Sequence, residues 1–387
     1  MAVLLINDYW EGGGAESVFR YQSEILAESA VFYAFKNISD WKISPLEYIY
    51  SFRFRKKLED FLKNRHFDAI IVHNYCGALS PSILGVLKKY KQCEKCKIIY
   101  YAHDFHLVCP NRGYSYFKNG ETVNFTNPPA LSEILSKRLD FRGISHSLLK
   151  KIQWIKAYKL CKAQEVFDLV LSPSEFLAAQ IRSLYPNMDV QRIYNPCSLP
   201  ALSEKKSKTG DTMRMVYFGR LSQEKGLVNF INALKNSNIN FTFTIIGEGE
   251  DKEKIENAIK CNSLDKKVFI RPRLPQNKLY QALAEFDIFV LPSLWYENAP
   301  LSIVEAAGAG LGLFLSGHGG VLEIGKICNA GHFFNPFDLN NIAAKLDVLY
   351  SDFRSNKLVP ADYKLITELF GKEQYLKTLK HYIEYES

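Results

Sequence analysis

Short apolar, β-branched runs alternate with helix-length stretches along the whole chain. In the first half these runs are Val3–Ile6, Ala69–Val72, Ile98–Ala102, Leu169–Ser172 and Gln191–Tyr194, with another near Val31–Phe35. In the second half they are Met215–Gly219, Phe241–Ile246, Val268–Arg271, Ile288–Leu291 and Gly312–Leu315. Short runs that are apolar on both faces fit strands of a parallel sheet covered by helices. The stretches between them complete βαβ units. Leu199 to Thr212 is rich in Ser, Lys and Glu and has no apolar periodicity, so it reads as a linker. The pattern predicts an α/β chain of two doubly wound Rossmann-like domains, 1–198 and 212–371, joined over 199–211. Ligands are expected in a central cleft, where the carboxyl ends of the strands point.

Length supports this division, because 387 residues exceed one ordinary core. Apolar residues at 47% and charged residues at 23% are the balance of a folded chain, not a disordered one. No apolar run approaches the ~18–20 residues that cross a bilayer. Met1 to Ile6 are apolar, but Asn7, Asp8 and Glu11 follow at once, so they read as a strand and not a secretory signal. The chain is therefore expected to be cytoplasmic. Its eight cysteines are scattered, which fits reduced thiols. Cys93 and Cys96 form a lone CxxC ahead of a strand, with only Cys76 and Cys109 nearby as further ligands; it reads as a loop or helix end.

The net charge of +8 is uneven. Residues 1–196 carry 26 Lys and Arg against 19 Asp and Glu, and the rest carry 23 against 22. The excess peaks in Lys137 to Lys162, with eight basic residues and one acid, Asp140. Leu148, Leu149, Ile152 and Ile155 recur there at helical spacing. Such a helix can rest on an anionic membrane face, or it can be a surface helix with its stripe facing the core. Nucleic acid is not an expected partner, because the basic residues lack the interleaved aromatics of a stacking surface.

Two regions carry candidate chemistry. Gly12-Gly13-Gly14-Ala15-Glu16-Ser17 follows the first strand and opens a helix, where glycines let backbone amides approach an anion. A dinucleotide fingerprint fits it poorly: Ser17 stands at the third glycine, and Lys36 and Asn37 stand where a ribose-binding acid belongs. In the second half, Gly219-Arg220-Leu221-Ser222-Gln223-Glu224-Lys225-Gly226 places two cations around a turn at a strand end. A departing diphosphate needs that kind of charge compensation. Leu291 to Glu305 follows a later strand. There Asn298 is a possible cap, Pro300 suits a first helical turn, and amides near Ala299, Leu301 and Ser302 can face phosphate or sugar oxygens. Glu297 and Glu305 stand eight residues apart. Their carboxylates suit polyols, one meeting sugar hydroxyls and the other a ribose diol.

These marks resemble the retaining glycosyltransferases of the large family 4, which have the two-domain GT-B fold. The resemblance rests on Gly219-Arg220 with Glu224-Lys225-Gly226, Ile246-Gly247-Glu248-Gly249, Leu291-Pro292-Ser293, Glu297/Glu305, and Gly317 to Ile324 with Gly319-Gly320 and Glu323. In the first half it rests on Gly13-Gly14-Ala15-Glu16, Ala102-His103-Asp104-Phe105 and Tyr194-Asn195-Pro196. It implies that Arg220 and Lys225 hold the donor diphosphate. Glu305 would bind the ribose, and Glu297 with Asn298, Ala299 and Leu301 would hold the transferred sugar. Arg271 would lie near the nucleobase, His103 near the reacting carbon, and Gly13, Gly14 and Glu16 near the phosphate or acceptor. One departure is Asn-Ala-Pro after Glu297, where many members have a Gly-rich or Phe-Gly run.

The resemblance further implies a nucleotide-diphosphate sugar as co-substrate. The acceptor would be a saccharide or a polyprenyl-diphosphate-linked saccharide of a bacterial surface polymer, bound by the N-terminal domain. The segment 372–387 would complete that domain. Retention would come from same-face attack, the leaving phosphate taking the acceptor's proton. No Asp-x-Asp pair occurs, so no cofactor or metal is expected. A nucleotide-sugar epimerase and a non-catalytic sugar-nucleotide-binding protein of the same fold are the competing readings.

Overall fold

The structure is a computed structural model that describes residues 2–27, 29–35, 43–199 and 210–384. Most of the expected linker (200–209), and Lys36 and Asn37, lie outside the described residues. The chain divides into two compact units, Met1–Pro196 with Lys372–Ser387, and Cys197–Gly371.

In the first unit the strands are β1 (Val3–Tyr9), β2 (Ala30–Phe35), β3 (Ala69–Val72), β4 (Lys97–Tyr101), β5 (Ser115–Lys118), β6 (Glu121–Asn124), β7 (Leu169–Ser172) and β8 (Val190–Arg192). Six form one sheet in the order β2-β1-β3-β4-β7-β8, every neighbour parallel. The order reverses beside β1, which opens a crevice at the carboxyl ends of β1 and β3. β1 and β3 are buried along their whole length, as strands covered on both faces must be.

The connection from β4 to β7 is long. It holds the antiparallel hairpin β5–β6, whose turn residues Asn119 and Gly120 have φ of +52° and +85°. Two positive φ values in succession suit a two-residue hairpin turn. It also holds the helices Leu131–Ser136 and Ile144–Ile155, the latter running into a π-helical turn, Lys156–Leu160. The buried residues of Ile144–Ile155 are Ser147, Gln153 and Trp154, whereas Leu148 and Ile152 are exposed. The stripe is therefore split: Leu148 and Ile152 face outward, whereas Leu149 and Ile155 are half-buried beside the buried Trp154. The helix Lys372–Glu384 lies on this unit, where Tyr375, Leu379 and Ile383 are buried.

The second unit has β9 (Met213–Phe218), β10 (Phe241–Ile246), β11 (Val268–Arg271), β12 (Ile288–Leu291), β13 (Gly312–Ser316) and β14 (His332–Phe334). Their order is β11-β10-β9-β12-β13-β14, again all parallel. The switch point falls between β9 and β12. β3, β7, β10, β11 and β12 have the bounds the sequence predicts, while β14 and the β5–β6 hairpin are additions. No described helix is long and apolar enough to cross a membrane.

Candidate functional site

The loops that follow β9, β12 and β13 meet at the second switch point. Leu294 N donates to Glu224 O (2.8 Å), and Gly320 N donates to Glu297 O (2.9 Å). Two glycines make this approach possible. Gly226 has φ of +69°, and a Cβ there would lie 2.0 Å from Pro292 O. A Cβ on Gly320 would lie 1.5 Å from Asn298 O. Side chains are excluded at both positions, so the loops touch backbone to backbone.

At their junction, Lys225 Nζ lies 2.5 Å from Glu297 Oε1, which also accepts from Ser293 Oγ (2.7 Å). The two charged side chains are only 16% and 12% exposed. Burial pushes the Glu297 carboxyl up, but the charge and hydrogen bond of Lys225, with Ser293, outweigh it and hold Glu297 below its ordinary range. The Lys225 ammonium also lies 5.6 Å from the Trp295 ring. His318 Nε2 donates to Ser293 O (2.8 Å), with the Tyr296 ring at 5.2 Å. A cavity of about 310 Å³ opens beside His318, lined by Gly317, Phe334, Asn335, Phe337 and Lys345. That is the lower end of the size of small-molecule sites, roughly 300 Å³.

The remaining second-unit candidates are placed around this pair. Arg220 is exposed and pairs with Glu224 (2.5 Å), not with Glu297. Glu305 Oε1 accepts from Gln276 Nε2 (3.3 Å) and lies 3.0 Å from the Tyr280 hydroxyl, itself 2.6 Å from Ser198 O. The Tyr280 hydroxyl thus faces two oxygens, and burial raises the Glu305 pKa against the hydrogen bonds of Tyr280 and Gln276. Arg271 ends the edge strand β11; its guanidinium faces Glu285 (3.6 Å) and its carbonyl accepts Gly247 N (3.0 Å). The helix Leu301–Gly308 has Pro300 as its N-cap. This corrects Asn298 as the cap and Pro300 as a first-turn residue: the Asn298 carbonyl is pressed against Gly320, which delays the helix until Leu301. Its first amides, at Leu301 and Ser302, have no place in the helix's own hydrogen bonds.

In the first unit, Gly13 is the N-cap of the helix Gly14–Ile25, and its amide donates to Glu16 Oε2 (2.8 Å). Glu16 thus caps its own helix, and any anion at that tip must share the amides with a carboxylate. His103 Nε2 lies 2.6 Å from His73 Nδ1, and His73 Nε2 lies 2.6 Å from Gln22 Oε1, while Gln22 Nε2 donates to the Tyr375 hydroxyl (2.7 Å). The amide oxygen can only accept, so the network assigns His73 its proton on Nε2 and His103 its proton on Nε2 as well. His103 therefore spends its Nε2 proton inside the unit. Burial lowers the His103 pKa to about 3 and holds His73 well below its ordinary value. Asp104 does not orient His103: it accepts His106 N (2.9 Å) and faces Arg112 (3.6 Å).

The structure thus joins Lys225 and Glu297 directly, adds Ser293 and His318, and leaves Arg220, Arg271 and Glu305 with other partners. Ser293 carried a findable signal, one turn before Glu297. His73, Gln22 and Tyr280 carried none, because their partners are remote in sequence.

These depressed histidines make stability depend on pH. With the folded pKa below the unfolded value near 6.5, the unfolded chain binds more protons as pH falls from 6.5 toward 3. The stability present above that window is lost within it. The melting temperature is expected to fall between pH 7 and pH 5, with a shallower fall in His73→Phe; calorimetry showing no difference in slope would remove this account.

Comparison with known proteins agrees with this geometry. Residues 200–363, most of the second unit, match the family Glycosyl transferases group 1. The fold is that of GT-B structures, two Rossmann-like units, and the second unit is similar to the group 1 glycosyltransferases over the matched residues. Among individual proteins, an uncharacterized 42.6 kDa protein in the cps region of Klebsiella pneumoniae is 26% identical over 86% of this chain and 77% of its own length. The amylovoran biosynthesis glycosyltransferase AmsK of Erwinia amylovora is 34% identical, over 29% of this chain and 30% of its own. Of solved structures, sucrose-phosphate synthase from Thermosynechococcus elongatus superposes with a TM-score of 0.72 at 14% identity, covering 98% of each chain.

Proposed function

We propose that the protein is a retaining, metal-independent glycosyltransferase that moves a hexose or deoxyhexose from a nucleotide-diphosphate sugar to a saccharide acceptor. The observation that carries this reading is the buried Lys225–Glu297 pair, set where the loops after β9 and β12 meet. Lys225, Arg220 and the first amides of Leu301–Gly308 supply positive charge for the diphosphate, in place of a cation. Lys225 then turns part of its hydrogen bonding from Glu297 to phosphate, and the freed carboxylate oxygens accept sugar hydroxyls. Glu305 meets the ribose in place of Tyr280. Retention follows if the departing phosphate takes the acceptor's proton on the same face.

The cps-region location of one uncharacterized relative and the amylovoran biosynthesis named for another support an acceptor from surface-polysaccharide assembly. We take it to be a lipid-linked saccharide. A melting panel of nucleoside diphosphates and nucleotide sugars tests the donor. A ligand at about 100 times its Kd adds about 2.7 kcal/mol to stability, so the true donor should stand out. Turnover with that donor is expected to be unchanged by chelator. No shift with any nucleotide, or a strict need for a divalent cation, would end this reading.

A further inference from the structure

We propose that the first unit docks on an anionic lipid surface through the outer face of the helix Ile144–Ile155. This deepens the proposed function by naming where its lipid-linked acceptor is met. Ile144, Leu148 and Ile152 recur every fourth residue and are 81%, 53% and 40% exposed. That spacing puts all three on one side of a helix. Lys151 Nζ donates to Leu135 O (2.7 Å), which brings exposed Leu135 on the neighbouring helix beside the stripe. Leu160, at the end of the π-helical turn, is exposed as well.

The helix divides its apolar residues between two sides: Leu149 and Ile155 are half-buried, whereas Ile144, Leu148 and Ile152 face outward. Hydrogen bonds help to anchor its inner side: Ser147 Oγ accepts Leu139 N (2.9 Å), Gln153 Nε2 donates to Cys76 O (3.1 Å), and Trp154 Nε1 donates to His106 O (2.8 Å). An apolar outer stripe over a hydrogen-bonded inner side is built to be covered by something else.

Charge selects the occupant. Lys137 to Lys162 holds eight basic residues and one acid. That acid, Asp140, is already matched by Arg142 and Lys150, both at 2.9 Å. Exposed aliphatic residues on a segment with an excess of basic residues suit lipid tails beneath anionic headgroups. The core of a protein interface is instead depleted in lysine and enriched in aromatic residues. The position suits the acceptor too. The inner side of this helix bonds to loops after β3 and β4, and the β4 loop carries His103, so one helix separates the lipid-facing stripe from that loop.

The test is co-sedimentation of the full chain with vesicles of phosphatidylcholine alone or with a third phosphatidylglycerol, at low and high salt. Binding is expected to the phosphatidylglycerol vesicles only, weakening with salt, and at least about tenfold weaker in Leu148→Ser/Ile152→Ser. Three results overturn the proposal: no affinity for anionic vesicles at low salt, equal affinity in the double variant, or a dimer that ignores vesicles and that the double variant dissociates. A nucleotide-sugar melting shift, measured on both proteins, tests the catalytic reading separately and also reports that the variant is folded.

Discussion

Lys225→Ala is expected to lower turnover by at least about 10²-fold, the size of effect seen when one preorganised charge donor is removed. It is also expected to lower stability, because it strands Glu297 among loops that exclude water. Removing one partner of a buried ion pair costs roughly 3–5 kcal/mol; slight exposure of both side chains places this pair at the lower end. Lys225→Met/Glu297→Gln separates the two effects. It removes both charges, so it should regain most of the stability while remaining inactive. The pair also has a signature in pH. Glu297 is held below its ordinary value of 4.5. Its stabilisation is therefore present above pH 4.5 and lost as pH falls through the lower, folded value. Melting curves below pH 5 should show this loss in the native chain and not in Glu297→Gln. Wild-type turnover in Lys225→Ala would remove Lys225 from the donor site altogether.

Gly320→Ala is expected to be the most damaging single methyl group in the second unit. Its Cβ would stand 1.5 Å from Asn298 O and 2.6 Å from Glu297 O, both backbone atoms. No rotamer relieves that, so the strip 297–300 must move. Overpacking typically costs about 1–3 kcal/mol, and a backbone collision belongs at the top of that range or above it. At about 2–4 °C per kcal/mol for a unit of this size, the melting temperature should fall by at least about 6–12 °C. The displaced strip includes Glu297, so activity should fall with it. Gly85→Ala is the matched control. It lies in the helix Ile83–Cys93, where an added Cβ meets nothing within 4 Å. That change should be neutral, or stabilising by about 0.4–1 kcal/mol. Equal effects of the two substitutions on calorimetric melting would show that loop contact at Gly320 does not hold the site.

The parallel strands were legible because burial on both faces leaves a distinctive mark: Ala69–Val72 and Ile288–Leu291 are apolar runs with no polar alternation. The β5–β6 hairpin was legible in principle, since Asn119-Gly120 is a turn signal flanked by Tyr116, Phe117, Thr122 and Val123. It is an excursion inside a βαβ pattern, where a helix is the usual guess. β14 has three residues, too few for any periodicity to register. Lys225 and Glu297 could be singled out separately, but their meeting depends on which strands are neighbours. That neighbour order is a property of topology and not of local sequence. The helix cap at Pro300 was missed for the same reason, as its cause is Gly320, a residue from another loop. The helix Ile144–Ile155 left its two readings open because periodicity reveals a stripe without revealing which way it faces.

The helix Lys372–Glu384 imposes an order on biosynthesis. Tyr375 accepts the hydrogen bond that closes the Gln22–His73–His103 chain, and the Tyr382 carbonyl accepts from Lys97. Both partners lie in the amino-terminal part of the chain, 353 and 285 residues before their contacts in this helix. The amino-terminal sheet therefore leaves the ribosome with its histidine relay unfinished. The Gln22–Tyr375 hydrogen bond forms only after the second unit has been synthesised, so the outer end of the relay is fixed late.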